Sequence, residues 1–190
     1  MRATKPGEVW GIDMTKVLTK TGWINLVIVL DWYTKKIVGF NAEVYSRADE
    51  WLKALNFVVL EQFPNGIKEH GPLSLVSDNG SQPTSVKFMK ETSLLGIKQI
   101  FASYDNPKGN ADTERVIRKL KEDLVWPREF ENIYEFKDAL CKLVNDYNTD
   151  FPHSSLNYLT PVKFEEIYLA DLAQQNILNQ GALNSNLFFA

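Results

Sequence analysis

Apolar residues dominate three blocks in the first 45 positions, at residues 8–18, 23–32 and 35–44. Short polar connections separate them, at Thr19–Gly22 and at Tyr33–Thr34. Apolar-rich blocks of this length joined by tight turns are typical of antiparallel strands. The pattern therefore predicts that the chain opens with three consecutive antiparallel strands.

After residue 45 the spacing of apolar residues alternates between helical and strand-like. A capping-box pattern at Ser46 precedes apolar residues at helical intervals from Trp51 to Phe63, which predicts a helix. Two short apolar runs, Leu73–Ser77 and Ile97–Ala102, predict a fourth and a fifth strand. Further helices are predicted over residues 86–95, 111–125 and 134–148, and from Pro161. This order predicts an α/β protein, a mixed five-stranded sheet with helices on both faces.

Composition fits one globular domain with a sizeable core. The chain has 190 residues, of which 44% are hydrophobic and 12% aromatic. Its longest aliphatic run, Leu26–Leu30, is too short to span a membrane, and its start has no apolar signal-peptide core. Cys141 is the only cysteine, so we expect no disulfide framework and a cytoplasmic setting.

Three acidic residues carry the candidate chemistry. Asp13 lies in the first predicted strand, Asp78 follows the fourth, and Glu114 lies just inside the helix predicted from residue 111. The gap from Asp13 to Asp78 is 64 residues, and the gap from Asp78 to Glu114 is 35. If the three converge, divalent cations are the usual way to offset their repulsion, and carboxylates without His or Cys suit Mg²⁺ or Mn²⁺. A pair of such ions commonly stabilises the attacking and leaving oxygens of a displacement at phosphorus. The pattern therefore predicts a two-metal phosphoryl-transfer enzyme acting on nucleic acid.

The motifs around these residues resemble a known family. The segments WGIDMT, SDNGSQPTS, YDNPKGNADTERVIRKLKED and YNTDFPHSSLNYLTPVKF occur in that order. They are similar to the integrase core (DDE) domain shared by bacterial insertion-sequence transposases and retroviral integrases. The similarity runs from about residue 8 to 168 and implies a ribonuclease H-like fold. The last segment favours the insertion-sequence branch, in which Arg-Pro-His usually stands where this chain has Phe151-Pro152-His153.

The resemblance implies an activity and a set of partners. It implies a polynucleotidyl transferase with a catalytic core over residues 1–170, which nicks DNA 3′ ends and transfers the strands, and leaves residues 171–190 as an unassigned C-terminal tail. In the family the triad Asp13, Asp78 and Glu114 is both catalytic and metal-binding, with Asp13 shared between two ions. The expected partners are element ends, target DNA and further copies of the chain. We expect a separate N-terminal DNA-recognition region outside this chain and, in bacteria, association with the nucleoid when DNA is bound.

Basic residues near Glu114 are the candidate DNA contacts. Arg118 and Lys121 lie four and seven positions after Glu114, on its helical face, and Lys108 lies in the preceding loop. In the family that the chain resembles, basic residues at the positions of Arg118 and Lys121 contact DNA. A plain Glu114–Arg118 ion pair is the structural alternative. The formal net charge of −3 argues weakly against a DNA partner. Neutralisation of acidic residues by bound metal and local patches of charge matter more for DNA binding than the net charge of the whole chain.

Two other functions stay open from the sequence. One is a ribonuclease H-like nuclease that hydrolyses without strand transfer. The other is an inactive remnant of a mobile element that only binds DNA or forms oligomers. We expect Asp31 and His153 to be structural, with His153 hydrogen-bonding to fix the connection around it.

Overall fold

The first three strands form an antiparallel meander. The structure, a computed structural model, describes residues 2–102 and 110–187. Strands β1 (Val9–Thr19), β2 (Gly22–Asp31) and β3 (Ile37–Glu43) pair in sequence order, β1 with β2 and β2 with β3. Gly22, with φ +126°, ends the β1–β2 turn in a conformation that other residues rarely adopt. The three predicted antiparallel strands are confirmed.

Two parallel strands extend the sheet on the other side of β1. Strand β4 (Leu73–Ser77) pairs parallel with β1, and β5 (Ile97–Phe101) pairs parallel with β4. The strand order is β3-β2-β1-β4-β5, so β1 is central. The predicted mixed five-stranded sheet is confirmed.

Helices cover both faces of this sheet. Even-numbered residues of β1, such as Trp10 and Ile12, are buried with the first helix and Phe88, whereas Val9 and Val17 are buried with the helices that follow β5. This alternation is the two-residue period of a strand buried on both faces. The helices are α1 (Ala48–Gln62), α2 (Ile67–His70), α3 (Val86–Leu94), α4 (Ala111–Leu120) with a π-helical continuation at Lys121–Val125, α5 (Ile133–Thr149) and α6 (Pro161–Leu187), with a 3₁₀ turn at Ser154–Leu156.

Asp31 is structural, as predicted. Its carboxylate is buried and accepts hydrogen bonds from the backbone of Gly7 (2.7 Å), the indole of Trp10 (3.1 Å) and the backbone of Tyr33 and Thr34 (2.8 and 2.9 Å). Four N–H donors compensate the buried charge. Asp31 therefore fastens the segment before β1 to the turn after β2.

Asn148 of α5 joins that helix to the edge of the sheet. Its side-chain oxygen accepts from the backbone N–H of Ile37, and its amide donates to the carbonyl of the same residue, both at 2.9 Å. Ile37 begins β3, an outer strand of the sheet. The Asn148 side chain thus supplies the two hydrogen bonds that a neighbouring strand would make at this point.

Two expectations for the helices need correction or completion. The capping box predicted at Ser46 is wrong, because α1 begins one residue later and the backbone N–H of Arg47 donates to Glu50 Oε2 at 2.9 Å. Ser46 Oγ instead accepts from the Trp51 indole at 3.4 Å.

The tail left unassigned from residue 171 continues α6, which extends to Leu187. No helix in the described part of the chain is both long and apolar enough to cross a membrane.

Candidate active site

The register of the central strands brings Asp13 and Asp78 to neighbouring positions. The parallel pairing of β1 and β4 ends with Gly11 opposite Val76. Asp13 and Asp78 each lie two residues beyond that pair. Since side chains alternate along a strand, the carboxylate of Asp13 in β1 lies on the face that Gly11 occupies, and Asp78 is the first residue after β4. The carboxyl ends of parallel strands are where ligands of α/β sheets gather.

Gly11 allows the start of α4 to dock on this face. A Cβ at Gly11 would lie 2.0 Å from Thr113 Oγ1 and 2.4 Å from the indole nitrogen of Trp32. That indole donates to Thr113 Oγ1 at 3.1 Å, and Asn110 Nδ2 donates to the carbonyl of Ile12 at 3.4 Å. Thr113 is fully buried by this contact, and Glu114 is the next residue. The docking therefore fixes where Glu114 enters the site.

The charges of Asp78 and Glu114 both act on Asp13. Its pKa rises from 3.8 to about 6, mainly because the side chain is largely buried, and the negative charges of Asp78 and Glu114 raise it further. A hydrogen bond from the backbone N–H of Met14 (2.7 Å) and the positive charge of Lys121 act in the opposite direction. Asp13 is thus a carboxyl group whose ionisation is opposed by its surroundings.

The three carboxylates do not form a closed cluster. Asp78 is exposed and accepts from the backbone of Gly80 at 3.0 Å, and Glu114 is also exposed. Within the described ranges, no three acidic, histidine or cysteine side chains are arranged closely enough to hold a metal ion as they stand. The donor set still fits a hard divalent cation, since it offers carboxylate oxygens only, and a cation would relieve the repulsion felt by Asp13.

Of the three predicted DNA-binding residues, Lys121 and Arg118 lie in the described part of the chain. Lys121 begins the π-helical continuation of α4, and its charge acts on Asp13. Arg118 is exposed one turn earlier on the same helix. Lys108 lies outside the described residues. The charge of Lys121 therefore acts on Asp13, and Arg118 stays a prediction from its spacing.

Comparison with known families decides the classification. A family model described as integrase core domain matches residues 3–107, and a second model with the same description matches residues 95–161. The chain belongs to the integrase core domain family. The resemblance inferred from the motifs is confirmed.

Curated relatives of this chain include insertion-sequence transposases. The transposase for insertion sequence element IS904 of Lactococcus lactis subsp. lactis (strain IL1403) is 32% identical over 169 residues, which cover 87% of this chain and 64% of that protein. The transposase for insertion sequence element IS629 of Shigella sonnei is 23% identical over 175 residues, covering 92% and 57% respectively. The chain therefore spans less than two thirds of the length of these relatives.

Solved structures of integrase cores share the fold. The HTLV-2 integrase catalytic core domain, solved in complex with magnesium in its trimeric form, matches with a TM-score of 0.60 at 16% identity and covers 86% of this chain and 99% of that chain. The BIV integrase catalytic core domain matches with a TM-score of 0.56 at 20% identity, covering 90% and 99%. The predicted ribonuclease H-like fold is confirmed.

Sequence reasoning missed the residues that position α4. An isolated glycine within a strand signals close approach of another backbone or side chain, so Gly11 carried a usable signal. Its partners Trp32 and Thr113 are 81 positions apart, and nothing in their spacing predicts the contact. His153 does hydrogen-bond across its connection, as expected: its backbone N–H donates to the carbonyl of Leu159 at 3.0 Å, and its carbonyl accepts from the N–H of Tyr158 at 2.8 Å. Its side-chain Nε2 atom is buried without a partner among the described residues.

Proposed function

We propose that this chain is the catalytic core of a DDE transposase that nicks DNA 3′ ends and transfers them to target DNA. Asp13, Asp78 and Glu114 would hold a pair of Mg²⁺ (or Mn²⁺) ions. The observation that supports the proposal is that Asp13 and Asp78 each follow the last β1–β4 pair by two residues, while the start of α4, which contains Glu114, packs against Gly11 of β1. Membership of the integrase core family and the magnesium complex of the HTLV-2 neighbour support it.

Each residue would have a definite task. Asp13 lies on the central strand, and the charges of both Asp78 and Glu114 act on it, so we take it as the shared ligand. When bound, the two ions would activate the attacking hydroxyl group and neutralise charge on the scissile phosphate. Lys121 favours the ionised form of Asp13, the form that binds a cation, and Lys121 and Arg118 would bind DNA phosphates beside the site.

A strand-transfer assay tests this function. The chain is incubated with a labelled duplex that carries a free 3′-hydroxyl end and with a supercoiled plasmid, in Mg²⁺ or Mn²⁺. We expect joined product from the wild type and less than about 1% of it from Asp13→Asn, Asp78→Asn and Glu114→Gln, since losses of this order follow removal of a group needed in the transition state. Glu122→Gln, an exposed glutamate of the π-helical continuation, is the matched control and should keep wild-type activity.

The products also separate the two alternatives. Metal-dependent nicking without joined product would indicate a ribonuclease H-like nuclease. Neither nicking nor joining, from a folded chain on DNA that carries its own element ends, would indicate an inactive remnant. Substantial joining by any of the three triad variants would remove that residue from the proposed site.

The partners follow from the same proposal. Element ends and target DNA would be the substrates, and the chain would act as a homo-oligomer, associated with the bacterial nucleoid when DNA is bound. The HTLV-2 cores, described in trimeric and dimeric forms, support self-association. A recognition region beyond this chain is consistent with the greater length of the curated relatives. Sedimentation of the chain with and without DNA ends would measure the oligomer directly.

A further inference from the structure

The hairpin of β1 and β2 extends beyond the rest of the sheet. In the described part of the chain, β4 pairs with β1 only as far as Gly11, and β3 pairs with β2 only from Asn25 onward. The pairs between β1 and β2 continue to Thr19 and Gly22. A two-stranded ribbon, residues 14–24, therefore projects past its neighbours at the carboxyl end of β1.

One face of this ribbon is packed against the rest of the protein. Val17 and Ile24 are buried in the same core cluster as Phe130, which lies between α4 and α5. At the tip, the backbone N–H of Lys20 donates to the carbonyl of Phe130 at 2.9 Å, and Lys20 Nζ lies 2.5 Å from Glu131 Oε1. The ribbon is thus anchored along one face and at its tip.

The other face of the ribbon is open. Leu18 and Trp23 are direct partners across the two strands, and they are 57% and 58% exposed. Lys16 precedes Leu18 by two residues, so it lies on the same face, and it is exposed too. Contiguous apolar surface rimmed by polar residues is typical of binding surfaces. We call Lys16, Leu18 and Trp23 the exposed ribbon face.

The charge of the ribbon favours an anionic partner. Residues 14–30 include two lysines and no aspartate or glutamate, in a chain with a formal net charge of −3. Lys20 is paired with Glu131, whereas Lys16 forms no ion pair within the described ranges. A two-fold contact between two copies of this face would bring lysines together without a carboxylate, so like-charge repulsion opposes it.

The exposed ribbon face lies close to the proposed active site. Lys16 follows Asp13 by three positions, which is about 10 Å along an extended strand. This distance corresponds to about three stacked nucleotides of one DNA strand. The two side chains lie on opposite faces of β1, and the edge of β1 that pairs with β4 has no partner beyond Gly11 among the described residues. A DNA strand that leaves Asp13 can therefore pass over this edge onto the ribbon face.

We propose that the exposed ribbon face binds unpaired nucleotides that continue from the DNA strand in the active site. Trp23 stacks on a base, Leu18 packs beside it, and Lys16 contacts a phosphate. Aromatic side chains next to cations bind single-stranded DNA in this way, because unpaired bases offer their flat faces for stacking. The inference rests on the function proposed above, which places a DNA end beside Asp13.

The exposed tryptophans allow a direct test. Trp10, Trp32 and Trp51 are at most 9% exposed, whereas Trp23 and Trp126 are 58% and 65% exposed. A single-stranded oligothymidylate of about ten nucleotides, added in the presence of a chelator, should quench the intrinsic fluorescence saturably. Trp23→Thr should lose this quenching, and the matched control Trp126→Thr should keep it. No quenching in the wild type, or its loss in Trp126→Thr alone, would overturn the proposal.

Affinities for the same oligonucleotide measure each contact. Trp23→Thr keeps a strand-forming residue at an exposed position, so it should fold normally yet bind at least about tenfold more weakly, the scale of one lost base stack. Lys16→Gln should lower the slope of log affinity against log salt by about 0.7, the contribution of one phosphate contact on a single strand. Lys142→Gln, an exposed lysine of α5, should leave the slope unchanged. Wild-type affinity in Trp23→Thr would overturn the proposal.

Duplexes with and without a single-stranded overhang identify what the ribbon face recognises. We expect the wild type to bind the overhang duplex more tightly than a blunt duplex of the same length. Trp23→Thr should remove this advantage and leave the affinity for the blunt duplex unchanged. Equal weakening on both duplexes would mean that the face contacts duplex DNA. Unchanged binding of both, with a smaller oligomer in sedimentation, would mean that a second copy covers the face; either result overturns the proposal.

These binding measurements need no turnover, so they can fail separately from the strand-transfer assay. Binding of the overhang that depends on Trp23, without joined product, would refute the proposed function and leave a site for single-stranded DNA. Joined product together with binding that does not depend on Trp23 would refute the ribbon site alone.

Discussion

Replacing Asp13 by Asn should stabilise the metal-free protein at neutral pH. The pKa of Asp13 is about 6 in the folded chain against an ordinary value of 3.8. At about 1.4 kcal/mol per pKa unit, ionising this group costs about 3 kcal/mol more in the folded chain than in the unfolded chain. Asn removes the charge and keeps an oxygen that can accept from the Met14 backbone N–H. We therefore expect the variant to be about 2–3 kcal/mol more stable than the wild type above pH 6.

The pH dependence of this difference has a definite sign. A carboxyl group with a raised folded-state pKa holds its proton more tightly when folded, so the folded state is penalised only once the unfolded chain has lost that proton. The advantage of Asp13→Asn should be about 0.5 kcal/mol at pH 4, grow mostly between pH 4 and 6, and level off above about pH 7. Urea unfolding in the presence of a chelator, at pH 4, 5, 6 and 8, measures it.

A control variant and a measurement with Mg²⁺ test the electrostatic reasoning further. Asp138→Asn, at an exposed position of α5, removes the same formal charge and should show a difference near zero at every pH. A difference between Asp13→Asn and wild type that stays flat from pH 4 to 8 would refute the electrostatic reasoning. Mg²⁺ at 1,000 times its Kd should reverse the order, since binding at that concentration adds about 4.1 kcal/mol to the wild type alone. An equal metal-induced gain in both proteins would place the metal elsewhere.

Three further outcomes are expected. Gly11→Val should abolish strand transfer and destabilise the fold, because its side chain would meet Thr113 and displace α4; unchanged activity and melting would refute the docking role of Gly11. Asp31→Ala should cost at least about 3 kcal/mol in urea unfolding, since four N–H donors lose a charged acceptor; a cost below about 1 kcal/mol would contradict this. The pair Arg118→Ala/Lys121→Ala should lower the salt slope of DNA binding by about 2 for all sequences alike, and an unchanged slope would make both residues a solvated helix face.

The sheet was largely predictable because its signals are local. The turn after Thr19 and the apolar runs of β1, β2 and β4 predict strands from neighbouring residues alone. Asp78 could be placed for the same reason, as a polar residue directly after a buried strand. Family motifs then supplied Glu114, whose helix gives no local reason to prefer it over Asp112.

The contacts that complete the site were not predictable in this way. The docking of α4 depends on Trp32 and Thr113, which meet only in the folded chain. The Lys35–Asp112 ion pair joins residues 77 positions apart. Such contacts follow from the packing of a helix against a particular strand, and one sequence carries no periodic signal for them. The same holds for the hydroxyl group of Tyr147 and Nε2 of His153, which are buried without a hydrogen-bond partner among the described residues.

The two hydrogen bonds from Asn148 to Ile37 bear on how the chain avoids aggregation. An outer strand offers unpaired N–H and C=O groups to which strands of other molecules can add. Asn148 occupies the groups of Ile37 at the start of β3, yet it comes 111 positions later in the chain. During synthesis the meander emerges long before α5, so the outer edge of β3 stays open at Ile37 until the helix docks. A nascent or truncated chain that ends before Asn148 would therefore expose the N–H and C=O groups of Ile37, to which a strand of another molecule could add.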